Sequence, residues 1–285
     1  AAIPGAPPGQ EVIISTTGDA VQDRPLADIG GKGLFAKEIH EALLDRRIDC
    51  AVHSLKDLET ELPPGIVLAC TLQREDPRDV LILGDTTAPP QPGAPLAALP
   101  HGALVGTSSV RRQAQLLHAR PDLRVASLRG NVQTRLRKLR DGECQASLLA
   151  LAGLRRLDMQ VPNAIVLDPD TMLPAAAQGI VGITVRADDT ALRDLLAQIE
   201  HPESRIAATA ERAMLASLDG SCRTPIAAHT VLRPDGTLIL TGLVARADGS
   251  FLLRRTLDGP AADAQRLGEA LGATLRAASP ADLFS

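Results

Sequence analysis

Residues 107–140 read TSSVRRQAQLLHARPDLRVASLRGNVQTRLRKLR, and their pattern is the clearest indication of the fold class of this chain. Its pattern predicts a helix over 109–119, a strand over 123–128 and a helix over 131–140, flanked by strands over 103–107 and 145–150. Strands that alternate with helices of this length are typical of βα units, which build α/β sheets.

The same stretch carries a dense group of positive charges. Nine of its residues are Arg or Lys and one, Asp122, is acidic, whereas the whole chain has a net charge of −4. A basic segment in an acidic chain indicates a local anionic ligand rather than a generally adhesive surface. Four cations stand beside turn and cap residues, near the strand–helix junctions where α/β sheets bind ligands: Arg111, Arg112, Arg129 and Arg135. Three others fit a solvated helix face: Arg137, Lys138 and Arg140.

The alternation continues on both sides of this stretch. Towards the N-terminus we predict strands over 10–17, 48–55 and 65–72, and a helix over 33–47. The Pro-, Gly- and Ala-rich stretch 86–100 reads as a surface loop or linker. Towards the C-terminus we predict strands over 163–167, 179–186, 225–233, 237–246 and 250–257, and helices over 203–218 and 261–277. The last three strands are joined by Asp-Gly hairpin signals, so two α/β units precede one small α+β unit.

The composition narrows the possible functions. The chain has 285 residues and is 45% hydrophobic, which is enough for two or three small domains. With three Phe and no Tyr or Trp, stacking platforms for nucleic-acid bases are almost absent, and no helix-turn-helix or zinc-finger spacing is present. No apolar run is long enough to span a bilayer. These features weigh against a nucleic-acid partner and against a membrane protein.

The four cysteines do not form a metal or disulfide framework. They stand at positions 50, 70, 144 and 222, far apart and without metal-ligand spacing. Cys50 and Cys70 read as buried small hydrophobes inside strands. Cys222 differs because it lies in a turn-rich loop beside Arg223, where a thiol can have a lowered pKa and be reactive. A functional thiol and an ordinary loop residue both remain open at this position.

Three more stretches could carry chemistry. Gly30-Gly31-Lys32-Gly33 leaves backbone N–H groups free for an anion, although a plain flexible loop is the alternative. Lys56-Asp57 ends a strand, where a carboxylate can transfer a proton or stabilise a cation; a solvated pair that caps a turn is the alternative. His53 reads as a hydrogen-bonded structural histidine. The charge run Arg74–Asp79 is typical of a solvated loop.

Taken together and in order, several motifs resemble one known family. They are GGKGLFAKE, AVHSLKD, REDPRDVLI, VGTSSVRRQAQL, SLRGNVQTRL, LPAAAQGIVGI and ERAMLASLDGSCRTPI. This series is similar to the porphobilinogen deaminase family, whose members are also called hydroxymethylbilane synthases. The resemblance runs from about Thr17 to the C-terminal helix, and several of the motifs are long and stand in the family's order and spacing.

The resemblance implies an α/β fold with two periplasmic-binding-protein-like lobes, an active site in the cleft between them, and a small C-terminal α+β domain. It places the first lobe at 1–77 and 178–199, the second lobe at 78–177, and the C-terminal domain with its cysteine loop at 200–285. The resemblance also leads us to expect a cytoplasmic monomer.

The resemblance also implies a function. Members of the family are transferases of tetrapyrrole and heme biosynthesis that join four porphobilinogens head to tail, release ammonia at each step and hydrolyse the product off as hydroxymethylbilane. A dipyrromethane cofactor, linked to a cysteine by a thioether, primes the chain. The expected partner is the small-molecule substrate porphobilinogen, with no nucleic acid, no membrane and no metal.

Site residues follow from the resemblance by position. Asp57 matches the catalytic aspartate, and Cys222 matches the covalent attachment site of dipyrromethane. Lys32 and Phe35 lie on the family's mobile active-site loop. The side chains that match cofactor and substrate contacts are Lys56, Ser109, Arg111, Arg112, Arg129, Arg135 and Arg156. Because each pyrrole ring carries an acetate and a propionate, a row of arginines suits the chemistry: the guanidinium fork pairs with carboxylates in bidentate fashion.

One departure from the family leaves two alternatives open. The family pattern begins with a strand and a helix that carry an Arg-x-Ser motif followed by Leu-Ala-Leu, and this sequence lacks them. Without that strand the first lobe would expose core surface. Either the chain is trimmed from a longer precursor, or the activity of this form is impaired.

The competing functional hypothesis is a non-enzymatic two-lobed binding protein for a carboxylate-rich or other anionic ligand. Two α/β lobes with a basic cleft would also describe such a receptor. A receptor needs neither a loop cysteine nor a Lys-Asp pair in its cleft, and those two features separate the hypotheses.

Overall fold

The computed structural model describes residues 3, 8–16, 36–84, 94–218 and 224–284. Its first sheet has three antiparallel strands in the order β1-β8-β2, formed by β1 (Cys50–Ser54), β2 (Ile66–Thr71) and β8 (Val181–Arg186). Helix α1 (Lys37–Leu44) packs on this sheet through a buried cluster that includes Leu43 and Ile66. Because β8 comes from late in the sequence and lies between two early strands, the chain crosses between sheets twice.

The second sheet has five strands in the order β5-β4-β6-β3-β7. They are β3 (Asp79–Leu83), β4 (Leu104–Gly106), β5 (Arg124–Ala126), β6 (Ala146–Ala150) and β7 (Ala164–Val166). β4 pairs in parallel with β5 and β6, whereas β3 is antiparallel to β6 and β7. Along β3, Leu81 and Leu83 face one buried cluster while Val80 and Ile82 face another. This strand is continuously apolar after Asp79 because both faces of the sheet are covered.

Three helices belong to this second unit: α2 (Val110–Ala119), α3 (Val132–Arg140) and α4 (Leu151–Arg156). The first two begin at side-chain caps. The Ser109 side chain accepts a hydrogen bond from the backbone N–H of Arg112, and Asn131 accepts one from that of Thr134. These caps fix where each helix begins and place Arg111, Arg112 and Arg135 in first turns.

The C-terminal unit is an antiparallel meander covered by helices. Its strands are β9 (Ile226–Leu232), β10 (Thr237–Ala245) and β11 (Leu252–Pro260). Its helices are α6 (Pro202–Ser217) and α7 (Ala264–Ala277). Helix α5 (Thr190–Ala197) precedes α6 in the chain. Helices α6 and α7 approach closely at Gly268, where an added Cβ would lie 2.3 Å from the Ala210 carbonyl oxygen. Met214, Leu240 and Leu271 belong to the core beneath them.

Two crossover segments, 72–78 and 174–180, run side by side between the first and second sheets. The N–H of Leu72 donates to the Val181 carbonyl at 2.9 Å, and the N–H of Glu75 donates to that of Gly179 at 2.9 Å. Gly179 has φ +88°, and a Cβ there would lie 2.2 Å from the Glu75 carbonyl oxygen. Only glycine allows the two segments to approach this closely.

A buried ion pair fastens the C-terminal unit to both crossovers. Glu211 of α6 accepts hydrogen bonds from Arg74 Nη1 at 2.6 Å and Nη2 at 3.1 Å, and from the backbone N–H groups of Ala177 and Thr230 at 2.6 and 2.8 Å. Glu211 is fully buried and the Arg74 side chain is 14% exposed. Each crossover therefore has a direct bond to α6.

The predicted α/β class with a small C-terminal α+β unit is confirmed, and three local predictions are wrong. Cys50 is exposed in β1, although it was predicted to be buried like Cys70, which is buried. The strand predicted over 10–17 is absent over its described part, residues 10–16, where Val12 and Ile13 are exposed. The run Arg74–Asp79 is not a solvated loop, because Arg74 is paired with Glu211 and Asp79 is fully buried at the start of β3. The domain boundaries stay a prediction. Within the described ranges, no helix is long and apolar enough to cross a membrane.

Candidate functional site

Lys56 and Asp57 lie directly after β1, in a short 3-10 turn over Leu55–Asp57. The turn is anchored because Leu55 is fully buried and its N–H donates to the Ile180 carbonyl at 3.0 Å. Lys56 is half-buried and Asp57 is exposed. His53 lies beneath them with Nε2 2.8 Å from Thr184 Oγ1, which fits the hydrogen-bonded structural histidine that we expected.

Arg111 and Arg112, in the first turn of α2, are buried around the carboxylate of Asp79. Nη1 of Arg111 lies 2.7 Å from Asp79 Oδ2 and 2.7 Å from the Leu173 carbonyl oxygen. Arg112 donates to Asp79 Oδ1 from Nε at 3.2 Å and Nη2 at 2.8 Å, and to the Leu148 carbonyl from Nη1 at 2.9 Å. The two guanidinium groups thus converge on one carboxylate.

Asp79 stays ionised in this surrounding. Burial alone would raise its pKa, but the charges and hydrogen bonds of Arg111 and Arg112 outweigh burial and hold the pKa of Asp79 well below its usual range. A further donor is the side-chain amide of Gln178, whose Nε2 lies 2.8 Å from Asp79 Oδ1. Asp79 therefore organises the base of the cluster as a permanent anion.

Lys56 connects the first sheet to this cluster. Its Nζ lies 3.4 Å from Gln178 Oε1. Burial lowers the pKa of Lys56, the charge of Asp57 opposes that effect, and the charges of Arg112 and Arg111 lower the pKa further. Side chains from the turn after β1 and from α2 therefore share one electrostatic environment at the junction of the two sheets.

Arg129 and Arg135 extend the same environment towards solvent. Arg135 is half-buried and its Nε donates to the Gly130 carbonyl at 2.8 Å. Its pKa is lowered by burial and by the charges of Arg112 and Arg129, whereas the charge of Asp57 raises it. Arg135 is consequently within interaction range of both the arginine cluster and the exposed carboxylate of Asp57.

The structure brings together six of the residues singled out in the sequence: Lys56, Asp57, Arg111, Arg112, Arg129 and Arg135. Ser109 caps α2 beside them. Arg156 is exposed at the end of α4, with Nη2 2.7 Å from the Gly179 carbonyl oxygen at the crossovers. Lys32, Phe35 and Cys222 lie outside the described residues. Of the three residues expected on a solvated face, Arg137 and Arg140 are exposed, whereas Lys138 is half-buried.

Sequence reasoning missed two residues of this site. Asp79 precedes the four apolar residues Val80–Leu83, and that run was the available signal for a buried strand. A carboxylate at the head of a buried strand needs cationic partners, which the arginine-rich stretch could supply. Gln178 gave no comparable signal, because its partners Lys56 and Asp79 are remote in sequence.

The balance of charge indicates the kind of ligand that fits. Five cations (Lys56, Arg111, Arg112, Arg129 and Arg135) are buried or half-buried here, against the carboxylates of Asp57 and Asp79. Burying surplus positive charge is unfavourable unless an anion pairs with it. Guanidinium groups pair best with carboxylate or phosphate oxygens. In the part of the chain that the structure describes, no group of three or more His, Cys, Asp or Glu side chains could hold a metal ion.

Fold and site together define a class of protein: an α/β protein with a cationic site, suited to an anionic ligand, where its two sheets meet. Comparison with known proteins makes this specific. Residues 8–194 match the family model described as porphobilinogen deaminase, dipyromethane cofactor binding domain, and residues 205–277 match that of the porphobilinogen deaminase C-terminal domain. The chain belongs to the porphobilinogen deaminase family.

Curated relatives support the same assignment over nearly the full chain. A porphobilinogen deaminase of Nitratidesulfovibrio vulgaris (strain DSM 19637 / Miyazaki F) is 50% identical over 98% of this chain and 87% of its own length. One from Paracoccus denitrificans is 50% identical over 96% of this chain and 85% of its own. A chloroplastic porphobilinogen deaminase of Oryza sativa subsp. japonica is 51% identical over 87% of this chain and 68% of its own.

Solved structures give a weaker likeness. An ABC-transporter periplasmic binding protein from Brucella ovis with glutathione bound is 18% identical, with a TM-score of 0.36 over 65% of this chain and 53% of that one. A Salmonella typhimurium periplasmic binding protein with high arginine specificity is 16% identical, with a TM-score of 0.34 over 65% of this chain and 77% of that one. The two-lobed expectation agrees with the family assignment.

Proposed function

We propose that this chain is a transferase that joins four porphobilinogen molecules head to tail into hydroxymethylbilane, on a covalently attached dipyrromethane primer. The observation that carries the proposal is the cationic cluster around Lys56, Arg112 and Arg135, with the exposed carboxylate of Asp57 beside it, in a chain of the porphobilinogen deaminase family. Such a site holds a polycarboxylate and presents one carboxylate to it.

The reaction places two demands on the protein. Each condensation breaks the carbon–nitrogen bond of the aminomethyl group, releases ammonia, and forms a carbon–carbon bond to a pyrrole α carbon that loses its proton; water then releases the finished product. The protein must hold the acetate and propionate groups of a growing polyanion. It must also assist departure of ammonia and stabilise the positive charge that this departure leaves on the substrate.

The arginines are proposed to meet the first demand. Arg129 and Arg135 lie towards solvent, and we assign them to carboxylates of the substrate and of dipyrromethane, with Lys56, Ser109 and Arg156 as further contacts. Arg111 and Arg112 direct their described hydrogen bonds to Asp79 and to backbone carbonyls. We propose that they contribute mainly through the positive potential that they impose on the cleft, while retaining N–H groups for a carboxylate.

Asp57 is proposed to meet the second demand. Its carboxylate is exposed at the end of β1, and its charge acts on both Lys56 and Arg135. We assign it to assist loss of ammonia and to stabilise the resulting cationic pyrrole, an interaction that is strongest when substrate excludes water. One carboxylate can serve every condensation if the growing chain moves relative to it.

The remaining assignments complete the proposal. When bound, dipyrromethane supplies the nucleophilic pyrrole carbon that receives the first substrate, and we assign its thioether attachment to Cys222. Lys32 and Phe35 belong to the proposed active-site loop. We propose a first lobe of 1–77 and 178–199, a second of 78–177 and a third domain of 200–285. The protein is proposed to act as a cytoplasmic monomer with no nucleic-acid partner, which fits its net charge of −4.

Intact mass spectrometry of the natively expressed protein tests the proposal. The native chain should carry the fixed mass increment of a dipyrromethane on the peptide that contains Cys222, and Cys222→Ser should carry none, because an alcohol is a far poorer nucleophile than a thiolate at neutral pH. Cys144→Ser, a buried cysteine elsewhere in the chain, is the matched control and should keep the increment. A native chain without any increment would contradict the proposal and favour a binding protein.

A further inference from the structure

Gln178 lies where the two sheets and the crossovers meet, and the proposed reaction gives it no role. It is 1% exposed and follows Ala177 in the second crossover. Its Nε2 is 2.7 Å from the Pro77 carbonyl oxygen and 2.8 Å from Asp79 Oδ1, while its Oε1 is 3.4 Å from Lys56 Nζ. A single amide thus contacts the first crossover at Pro77, the second sheet at Asp79, and Lys56 in the turn that follows β1.

The direction of this amide is fixed by its partners. The Pro77 carbonyl and the ionised Asp79 carboxylate can only accept hydrogen bonds, so they must face the NH₂ group of Gln178. Both N–H bonds of that group are then used. The amide oxygen is left pointing at Lys56, whose ammonium group can only donate. Because Arg111 and Arg112 keep Asp79 ionised, they also keep the amide oriented towards Lys56.

The backbone around Gln178 is held in an unusual conformation. Ala177 has φ +59° and Gly179 has φ +88°, so both neighbours of Gln178 lie at positive φ. For alanine this region is disfavoured and persists only where surrounding structure enforces it. Here the N–H of Ala177 donates to the buried carboxylate of Glu211 at 2.6 Å. The strain is concentrated at the residue that delivers Gln178 to the cleft, which is the pattern of a functional constraint.

We infer that Gln178 is a positioning residue for Lys56: its amide, oriented by Asp79, holds the Lys56 ammonium group charged and in place beside Asp57. This inference rests on the proposed function for its consequence, since Lys56 matters there as a carboxylate contact next to the catalytic aspartate. The geometry itself concerns only Lys56, Gln178 and Asp79. It can be tested whether or not the protein turns over porphobilinogen.

Lys56 needs such support because most of its surroundings disfavour its charge. Burial, Arg112 and Arg111 lower the pKa of Lys56, whereas Asp57 from its own turn and Asp79 from β3 raise it. Gln178 adds a neutral acceptor at the ammonium group. Removing that acceptor should lower the pKa of Lys56, and replacing it with a carboxylate should raise the pKa.

The experiment is competitive acetylation of the purified full chain across a pH series, with labelling of Lys56 read by peptide mass spectrometry. Gln178→Met keeps the length but removes the acceptor, so the pH midpoint of Lys56 labelling should fall by about one unit. Gln178→Glu puts a charge at the same position, so the midpoint should rise by about one unit. A role that is only structural gives no reason for opposite shifts.

A control and the contradicting outcomes complete the design. Gln145→Met removes another side-chain acceptor, the one that receives the Leu104 N–H at 2.6 Å, and should leave the Lys56 midpoint unchanged. Equal midpoints in the native chain and in Gln178→Met would overturn the inference, as would shifts of the same sign in both Gln178 variants. If Gln178→Glu fails to fold because its carboxylate faces Asp79, the Met variant and its control decide alone. A native chain without the dipyrromethane mass would refute the proposed function without altering these midpoints.

Discussion

Two buried ionic clusters lie on the same crossovers and differ in their charge balance. In the first, Arg74 pairs with Glu211, one cation with one carboxylate, and Glu211 accepts further bonds from Ala177 and Thr230. In the second, Arg111 and Arg112 share the single carboxylate of Asp79, and Lys56 adds another positive charge nearby. The two clusters begin only five positions apart in the sequence, at Arg74 in the first crossover and at Asp79, the first residue of β3.

The difference separates a structural contact from a ligand site. A balanced buried pair satisfies its own charges, so breaking it by removing one partner mainly destabilises the fold. A cluster with surplus positive charge is not satisfied by the protein alone and gains most from an incoming anion. Neighbouring clusters of similar residue types therefore have different functions, and charge balance is the property that distinguishes them.

The largest effect should come from breaking the balanced cluster. Glu211→Gln removes the carboxylate and leaves Arg74 buried without its counter-charge, so the free energy of unfolding should fall by about 3–5 kcal/mol. Asp282→Asn makes the same chemical change in the surface pair Arg246–Asp282, whose side chains are 41% and 68% exposed, and should cost about 0–1 kcal/mol. Urea unfolding of both variants measures the contrast. Equal losses would mean that burial does not determine the strength of these pairs.

The second effect concerns the cationic cluster, where Asp57 is the exposed carboxylate. Asp57→Asn keeps the size but removes the charge, so single-turnover condensation should slow roughly 10²–10³-fold while substrate affinity changes little. Asp57→Glu keeps the charge one methylene away and should retain more activity than Asn. The unfolding midpoint should stay near the native value in both variants, since Asp57 is exposed. Near-native turnover in Asp57→Asn would remove this residue from the mechanism.

The contrast between local and long-range contacts also explains which features of the fold and the site could be predicted from the sequence. The βα alternation around 107–140 predicted the second sheet well, because helix periodicity and caps such as Ser109 and Asn131 are local properties. The motif His53–Asp57 placed Lys56 and Asp57 at the end of a strand, where the structure has them. Local sequence patterns were sufficient to predict those features that depend on residues close together in the sequence.

The remaining features depend on contacts between distant residues. Arg74 and Glu211 are 137 positions apart, and Lys56 and Gln178 are 122 apart. The run Arg74–Asp79 is dense in charge and reads as solvated, because sequence alone does not show that Arg74 and Asp79 meet buried partners. The strand predicted over 10–17 failed for the opposite reason: its apolar residues suited a strand, but within the described part it pairs with no neighbouring strand.

The two clusters bury charged side chains together with opposite charges. His53 is a different case, because it is a titratable side chain that is buried in its neutral form. Burial, together with the charges of His40 and Arg212, lowers the pKa of His53 from 6.5 to about 4. The unfolded chain therefore binds a proton at a higher pH than the folded chain. The resulting stability is fully present above about pH 6.5 and is lost as the pH falls towards 4, by up to about 3 kcal/mol.

Urea unfolding at intervals between pH 7 and pH 4 measures this dependence. His53→Gln, which cannot gain a proton but can still bond to Thr184, should show a flatter profile over that interval, although the lowered pKa of His40 leaves part of the slope. A profile with the native slope in His53→Gln would show that other groups cause the acid sensitivity.

The smallest expected effect is on substrate binding, and it compares two arginines of α3: Arg135 in the cationic cluster and Arg137 on the surface. Arg135 is half-buried and its charge acts on Arg112, Arg129 and Asp57, whereas Arg137 is exposed. A charge-assisted contact to a carboxylate is worth about 1.5–3 kcal/mol, so Arg135→Ala should weaken porphobilinogen binding roughly 10–100-fold and stall elongation. Intact mass would then show shorter covalent chains on the enzyme.

Arg137→Ala is the matched control, because it removes the same charge from α3 without entering the cluster. It should leave both the affinity and the distribution of chain lengths near native values. Arg135→Lys keeps the charge but loses the fork geometry, so partial recovery is expected. If Arg135→Ala and Arg137→Ala weaken binding equally, net charge on the helix would account for the effect. The surplus positive charge at the junction would then attract anions in general, and Arg135 would not be a specific binding site for a carboxylate.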